Sequence, residues 1–148
     1  MPGIVVGVDG SAHSERALDW AMREAAIRSA PLTVLNVHPV SMGIWGTVPA
    51  RYPEADRPDE DKTRSAIGEM VEKVGAGLGA GRPSSVTVRV VSGTAPEEII
   101  DASRDADLLV LGSRGAGGFA RLLLGSVTTR AAHHARCPLV IVPDPQRA

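Results

Sequence analysis

The sequence predicts an α/β fold: a single doubly wound domain over residues 1–148, Rossmann-like, with a five-stranded parallel sheet in the order 3-2-1-4-5 and helices on both faces. Three observations lead there. Short apolar runs recur along the chain, and those at Ile4-Val5-Val6-Gly7-Val8 and Leu108-Leu-Val-Leu111 are continuous enough for strands buried on both faces. Segments of helical period separate the runs, long enough for right-handed crossovers between parallel strands. The fourth run then opens into a glycine-rich stretch and a helix, a sequence of elements typical of ligand sites at the carboxyl ends of such sheets.

Taken in order, the first strand is followed by Asp9-Gly10-Ser11, a turn with a ready N-cap. From Ser14 the pattern is helical. Ala17, Leu18, Ala21, Met22, Ala25 and Ala26 share one face, while Glu15, Arg16, Arg23 and Arg28 lie on others, and Pro31 is expected to end the helix. Residues 32–37 form a second strand, which His38-Pro39 closes. Residues 40–58 are rich in proline and glycine and hold Trp45 and Tyr52; a loop of this length serves as a functional flap or stays disordered.

A second helix starts between Glu54 and Asp61, with Ala66, Ile67, Met70, Val71, Val74 and Leu78 as its buried stripe. Gly75, Gly77, Gly79 and Gly81 are expected to fray its end before Pro83. Residues 86–91 alternate as a third strand. Residues 95–105 form a third helix with Pro96 in its first turn and Ile99 and Ile100 facing inward. After the fourth strand, glycines stand at 112, 115, 117 and 118, where the main chain can approach a ligand closely. Gly125-Ser126 begins a fourth helix, with Ser126 as N-cap and residues 127–135 as the body. Residues 138–142 are the fifth strand, ahead of a polar tail.

The composition narrows the class. Hydrophobic residues make up 43% of the chain and charged residues 22%, an ordinary globular balance. A net charge of −1 gives no electrostatic footprint for nucleic acid or an anionic membrane, so neither partner is expected. No apolar run approaches the length of a membrane span, and the start lacks the basic and apolar regions of a signal peptide. The single Cys137 excludes an intramolecular disulfide framework. The expectation is a cytoplasmic protein.

A strand, a glycine-rich loop and a helix start together make an anion cradle, in which free N–H groups and the positive end of the helix dipole point at one place. Gly112, Ser113, Arg114 and Gly115 form one side, and Gly125, Ser126, Val127 and Thr128 the other. The main-chain amides of the second group, with the hydroxyls of Ser126 and Thr128, suit phosphate oxygens. Arg114 can screen phosphate charge, whereas Arg121 and Arg130 read as solvated. The expected strand order puts Val8, Asp9, Gly10 and Ser11 on the same crevice.

The spacing Gly112-x2-Gly115-x9-Gly125-Ser126 resembles the nucleotide-binding signature of universal stress proteins of the ATP-binding kind, and the resemblance covers nearly the whole chain. It implies ATP as ligand, with Mg²⁺ accompanying it. It implies ribose recognition, with metal proximity, at Asp9, and contact with adenine through the main chain of Val37. It also implies a homodimer formed through residues 139–142, whose apolar, uncharged edge needs covering. Asp9 has a plain alternative as an Asx-turn residue, and Val37 as a core valine.

Catalytic signatures are missing. There is no Gly-x4-Gly-Lys-Ser/Thr and no Gly-x-Gly-x-x-Gly, and the two lysines, Lys62 and Lys73, both fall on the second helix. No serine, cysteine or histidine sits in a nucleophile arrangement. His133, His134 and Cys137 have no further well-placed metal ligand, so a structural or surface role is expected of them; His13 and His38 are assigned no role. The reading is therefore an ATP-binding stress-response or regulatory module with little or no turnover. The alternatives are a slow Mg-dependent ATPase or nucleotidyl-transfer enzyme using Asp9, a binder of cyclic AMP or another adenylate, and a ligand-free dimeric scaffold.

Overall fold

A computed structural model describes residues 2–39, 60–114 and 124–145. The elements are β1 (Ile4–Gly7), α1 (Ala12–Arg28), β2 (Leu32–Pro39), α2 (Glu60–Leu78), β3 (Val86–Gly93), α3 (Ala95–Ser103), β4 (Leu108–Gly112), α4 (Ser126–His134) and β5 (Leu139–Val142). The five strands form one parallel sheet in the order β3-β2-β1-β4-β5. The expected order is thus the observed one. The 40–58 loop with Trp45 and Tyr52, as well as Gly115 and Arg121, lies outside the described residues.

Strand alternation sorts the core into two layers. Ile4, Val6, Leu32, Val34, Leu108 and Val110 face α1 and α2, where Leu18, Met22, Ile67 and Val71 close the layer. Val5, Leu35, Leu109 and Leu111 face α3 and α4, against Ile99 and Ala131. The central β1 and β4 are buried throughout, apart from half-buried Gly112, whereas every residue of β5 is half-buried, as an edge strand must be. Gly7 lies at this centre, and a Cβ there would come within 2.7 Å of Leu111 Cδ2. Among the described residues no helix is long and apolar enough to cross a membrane.

Several boundaries differ from the sequence expectation, each for a local reason. α1 stops at Arg28, before Pro31, because Ser29 turns into the left-handed region at φ 52° and donates its N–H to Ala26 O at 3.2 Å. β2 and β3 each run two residues further, with His38 beside Ser92 and Pro39 beside Gly93. α2 does not fray at Gly75. That glycine is buried under the Arg82 side chain, which crosses the helix to reach Glu72 Oε1 at 2.7 Å, and a Cβ at 75 would sit 2.9 Å from the Arg82 guanidinium carbon. Ala66, expected in the buried stripe, is exposed, since the covered face of α2 is narrower than the periodicity suggests and centres on Ile67, Val71 and Val74.

α3 ends at Ser103, short of 105, and that serine is fully buried. Its hydroxyl donates to Ile100 O at 2.6 Å and accepts the Arg136 N–H at 2.9 Å, joining the end of α3 to the loop after α4. Ser103→Ala leaves the Arg136 N–H without its acceptor, and the expected loss of stability is about 1–3 kcal/mol. Urea unfolding of the two proteins measures it, with an unchanged slope expected because the exposed surface is the same.

Candidate functional site

The site lies where the sheet's carboxyl edge meets the starts of α1 and α4. β1 and β4 are direct neighbours, with Val6 beside Val110. Beyond them Gly112 is pressed against α1, so that a Cβ on it would lie 3.0 Å from His13 O. The two strand tips and the first turn of α1 therefore share one rim.

Val8 is buried and both its main-chain groups are engaged by β2. Its N–H donates to Leu35 O at 2.9 Å, and its carbonyl accepts from Asn36 Nδ2 at 2.9 Å. It forms the floor of the crevice and offers no donor of its own. The next three residues make the turn. Asp9 Oδ1 accepts the Ser11 N–H at 2.9 Å in an Asx turn, and Gly10 sits at φ +87°, where a side chain would be strained. Ser11 then caps α1 by accepting the Ser14 N–H at 3.2 Å. Asp9 is exposed on the rim.

Val37 gains its interest from the ladder. Ile4 N–H bonds Pro31 O and Val8 N–H bonds Leu35 O, so the odd-numbered residues of β2 turn their main-chain groups toward β1. By this alternation Val37 also faces the β1 side, past the point where β1 has ended. Its side chain packs with the second core layer. A core valine and an exposed main-chain edge are thus the same residue.

On the β4 side, Ser113 donates its N–H to Val142 O at 2.9 Å and accepts the Gly125 N–H at 2.7 Å. Thr128, buried, donates its hydroxyl to Gly112 O at 2.8 Å. These two bonds clamp the start of α4 to the end of β4. The helix begins one residue earlier than expected: the N-cap is Gly125, extended at φ −67° and ψ 162°, and Ser126 is the first helical residue. Ser126 is displaced from the cap because the strand's carbonyl already fixes Gly125 in the cap conformation. The first amide bonded within α4 is that of Thr129, to Gly125 O at 2.9 Å, which leaves the N–H groups of Ser126, Val127 and Thr128 without intrahelical acceptors. The Thr128 hydroxyl proton, by contrast, is taken by the strand.

Arg114 is half-buried, and its Nε is one of three buried side-chain nitrogens without a partner among the described residues. The other two, Arg16 Nε and His38 Nε2, also belong to the carboxyl edge, at the start of α1 and the end of β2. His13 and Arg16 hold Asp144, at 3.6 Å and 3.2 Å, so the chain leaving β5 is fastened to α1 beside the crevice.

Of the expected site residues, Val8, Asp9, Gly10 and Ser11 follow β1, and Gly112, Ser113 and Arg114 end the adjoining β4, to which Gly125, Ser126, Val127 and Thr128 at the start of α4 are tied; Val37 stands on β2, on the other side of β1. Sequence reasoning missed Asn36, which pins the end of β1. Its signal was an amide set between Leu35 and Val37 in the middle of the strand. His133 and His134 are exposed, and Cys137 packs beside the second core layer, where burial first, and Asp107 after it, push its thiol up. Among the described residues no group of three His, Cys, Asp or Glu side chains could hold a metal ion.

Thr128→Val keeps the volume but removes the hydroxyl that holds Gly112 O. The expected cost is about 1–2 kcal/mol, with Thr128→Ser restoring most of it, read from denaturant midpoints.

Comparison with known proteins adds a lineage. The model of the universal stress protein family matches residues 2–143. Universal stress protein Rv2005c of Mycobacterium tuberculosis is 38% identical over 154 aligned positions, which cover 99% of this chain and 52% of that protein. The chain spans about half the length of the curated relatives it matches. Among solved structures, universal stress protein UspA from Lactobacillus plantarum superposes with a TM-score of 0.75 at 24% identity, covering 95% of this chain and 97% of that one. A universal stress protein solved in complex with cAMP gives a TM-score of 0.65 at 25% identity, covering 96% of each chain.

Proposed function

The chain belongs to the universal stress protein family, and on that premise we propose that it is a regulatory module that binds an adenine nucleotide, ATP foremost, where β1, β4 and α4 meet. The observation that carries the reading is the clamp between β4 and α4, which holds three amides without intrahelical acceptors beside the end of β4. Amides fixed before the ligand arrives bind an anion without the cost of ordering them.

The N–H groups of Ser126, Val127 and Thr128 take phosphate oxygens, and the Ser126 hydroxyl adds a donor. The Thr128 hydroxyl acts only as the anchor. The unpartnered Nε of Arg114 supports a phosphate on this side, since a buried donor without an acceptor costs about 1–3 kcal/mol and an anion relieves it. The main-chain edge of Val37 is suited to the base. Asp9, on the rim with Gly10 and Ser11, is suited to ribose hydroxyls, and it is the carboxylate that a Mg²⁺ carried by the phosphates would meet. Such a cation would screen phosphate charge.

Binding with little or no turnover follows from the groups at hand. Lys62 and Lys73 both lie on α2, and Lys73 is paired with Glu15 at 2.9 Å. The Asp9 carboxylate is tied into its turn. A second reading, cyclic AMP as ligand, is favoured by the solved relative that holds cAMP; a cyclic monophosphate would use fewer of the amides.

Ser126→Pro tests the site. Proline is well tolerated at the first helical position, and the extended Gly125 before it is compatible with proline, so the fold is kept while one amide and one hydroxyl disappear. In calorimetry the wild-type protein is expected to bind ATP more tightly than cyclic AMP. Ser126→Pro is expected to weaken ATP about tenfold or more and to leave adenosine unchanged. Absence of any adenine-nucleotide binding by the wild type, or equal ATP binding by the variant, would end this reading.

The same reading includes a homodimer through β5. Leu109 N–H bonds Pro138 O and Ser113 N–H bonds Val142 O, so even-numbered residues of β5 serve β4, and Leu139 and Ile141 turn their main-chain groups to the open edge. Antiparallel pairing with a second copy would satisfy them. Ile141→Pro removes an outward N–H and spares the inner ladder. Light scattering is expected to give a dimer mass for the wild type and a monomer mass for the variant.

A further inference from the structure

At the other end of α4 lies a groove that nucleotide binding does not use. It is formed by α3 and the C-terminal half of α4, with a volume of about 650 Å³, inside the range of sites that accept ligands. Arg104, Arg130, His133, His134 and Arg136 line it, and Glu97 and Asp101 stand among them. Three arginines against two carboxylates leave the groove positive before either histidine is protonated. Arg104 is already matched by Asp101 at 3.2 Å. Among the described residues Arg130 and Arg136 are in no ion pair, although both are exposed.

The two helix ends explain cations here only in part. Each carries roughly half a negative charge, screened by water, which is less than the side chains supply. Ile100 and Ala135 add apolar surface to the lining. The buried Ser103 hydroxyl donates to Ile100 O and accepts the Arg136 N–H, which ties α3 to the chain after α4 at the groove. Apolar surface beside arginines outside any ion pair matches one kind of occupant.

We propose that this groove docks an acidic segment of a partner protein, with carboxylates against Arg130 and Arg136 and an apolar side chain on Ile100 and Ala135. Glu97 and Asp101 argue against a nucleic acid, whose evenly spaced phosphates would meet both. The groove is separate from the nucleotide site: α4 has nine residues, about 13 Å, with the crevice at its first turn and the groove along its C-terminal half. The proposal stands whether or not a nucleotide binds.

Affinity for an acidic segment rests on the charges of Arg130 and Arg136 and therefore drops with added salt.

The test uses fluorescence anisotropy with the whole chain and a labelled peptide of alternating glutamate and leucine. A lysine–leucine peptide of equal length and a single-stranded oligonucleotide are the comparisons. Arg130→Glu and Arg136→Glu should each weaken the acidic peptide at least about fivefold, whereas Arg64→Glu, an equal charge change on α2 across the sheet, should not. Equal binding of the lysine peptide or the oligonucleotide, equal loss in Arg64→Glu, or no binding at all would overturn the proposal. A change of oligomeric mass in Arg130→Glu would also overturn it, by giving the groove to a second copy of the chain.

Discussion

Two hydrogen bonds, Gly125 N–H to Ser113 O and Thr128 Oγ1 to Gly112 O, fix how α4 leaves the sheet. They connect the two ends of a loop without depending on its middle. An amide pair and a hydroxyl–carbonyl pair, one of them shielded by the buried Thr128, hold a short helix that packing alone would leave free to pivot. The direction of the first-turn amides, and with it any use of the helix dipole, follows from this join. So does the placement of the last turn, since a nine-residue helix is too short to bend appreciably.

The rest of the carboxyl edge is built on the same economy of polar groups. Val8 is held from two sides by β2, and the Asn36 amide reaches across to do part of it. Asp9 then turns the chain by accepting the Ser11 N–H, and Ser11 starts α1 by accepting the Ser14 N–H. The polar atoms left over are cationic or ambivalent nitrogens: Arg16 Nε, His38 Nε2 and Arg114 Nε. They are concentrated at this edge, with none elsewhere among the described residues.

The layered fold was legible because its central strands are uniformly apolar and its crossovers have helical period. Local propensity and tertiary requirement agree at Ile4 to Val6 and at Leu108 to Leu111. Where the reading missed, a contact distant in sequence decided. Gly75 remained helical with Arg82 folded back over it, and Ser29, with nothing special about its side chain, ended α1 by a left-handed turn before the expected stop at Pro31. The site's residues were legible as a spacing, yet their division of labour was not. Ser126 looked like the cap and Thr128 like a ligand, whereas the carbonyls of Gly112 and Ser113 engaged Thr128 and Gly125 instead. Carbonyl positions sixteen and twelve residues away leave no mark on the sequence around a helix start.

The sheet also has a direction, and its two ends are not equivalent. Gly3 packs tightly on Pro31 at the amino edge, far from the crevice, whereas Asp144, just past β5, is held by Arg16 and His13 beside it. A fluorophore attached near Asp144 is therefore positioned to report changes at the carboxyl edge, while one attached ahead of Gly3 would serve as its reference at the opposite end of the strands. The same asymmetry recommends placing affinity tags at the amino side, where they leave the carboxyl edge unobstructed.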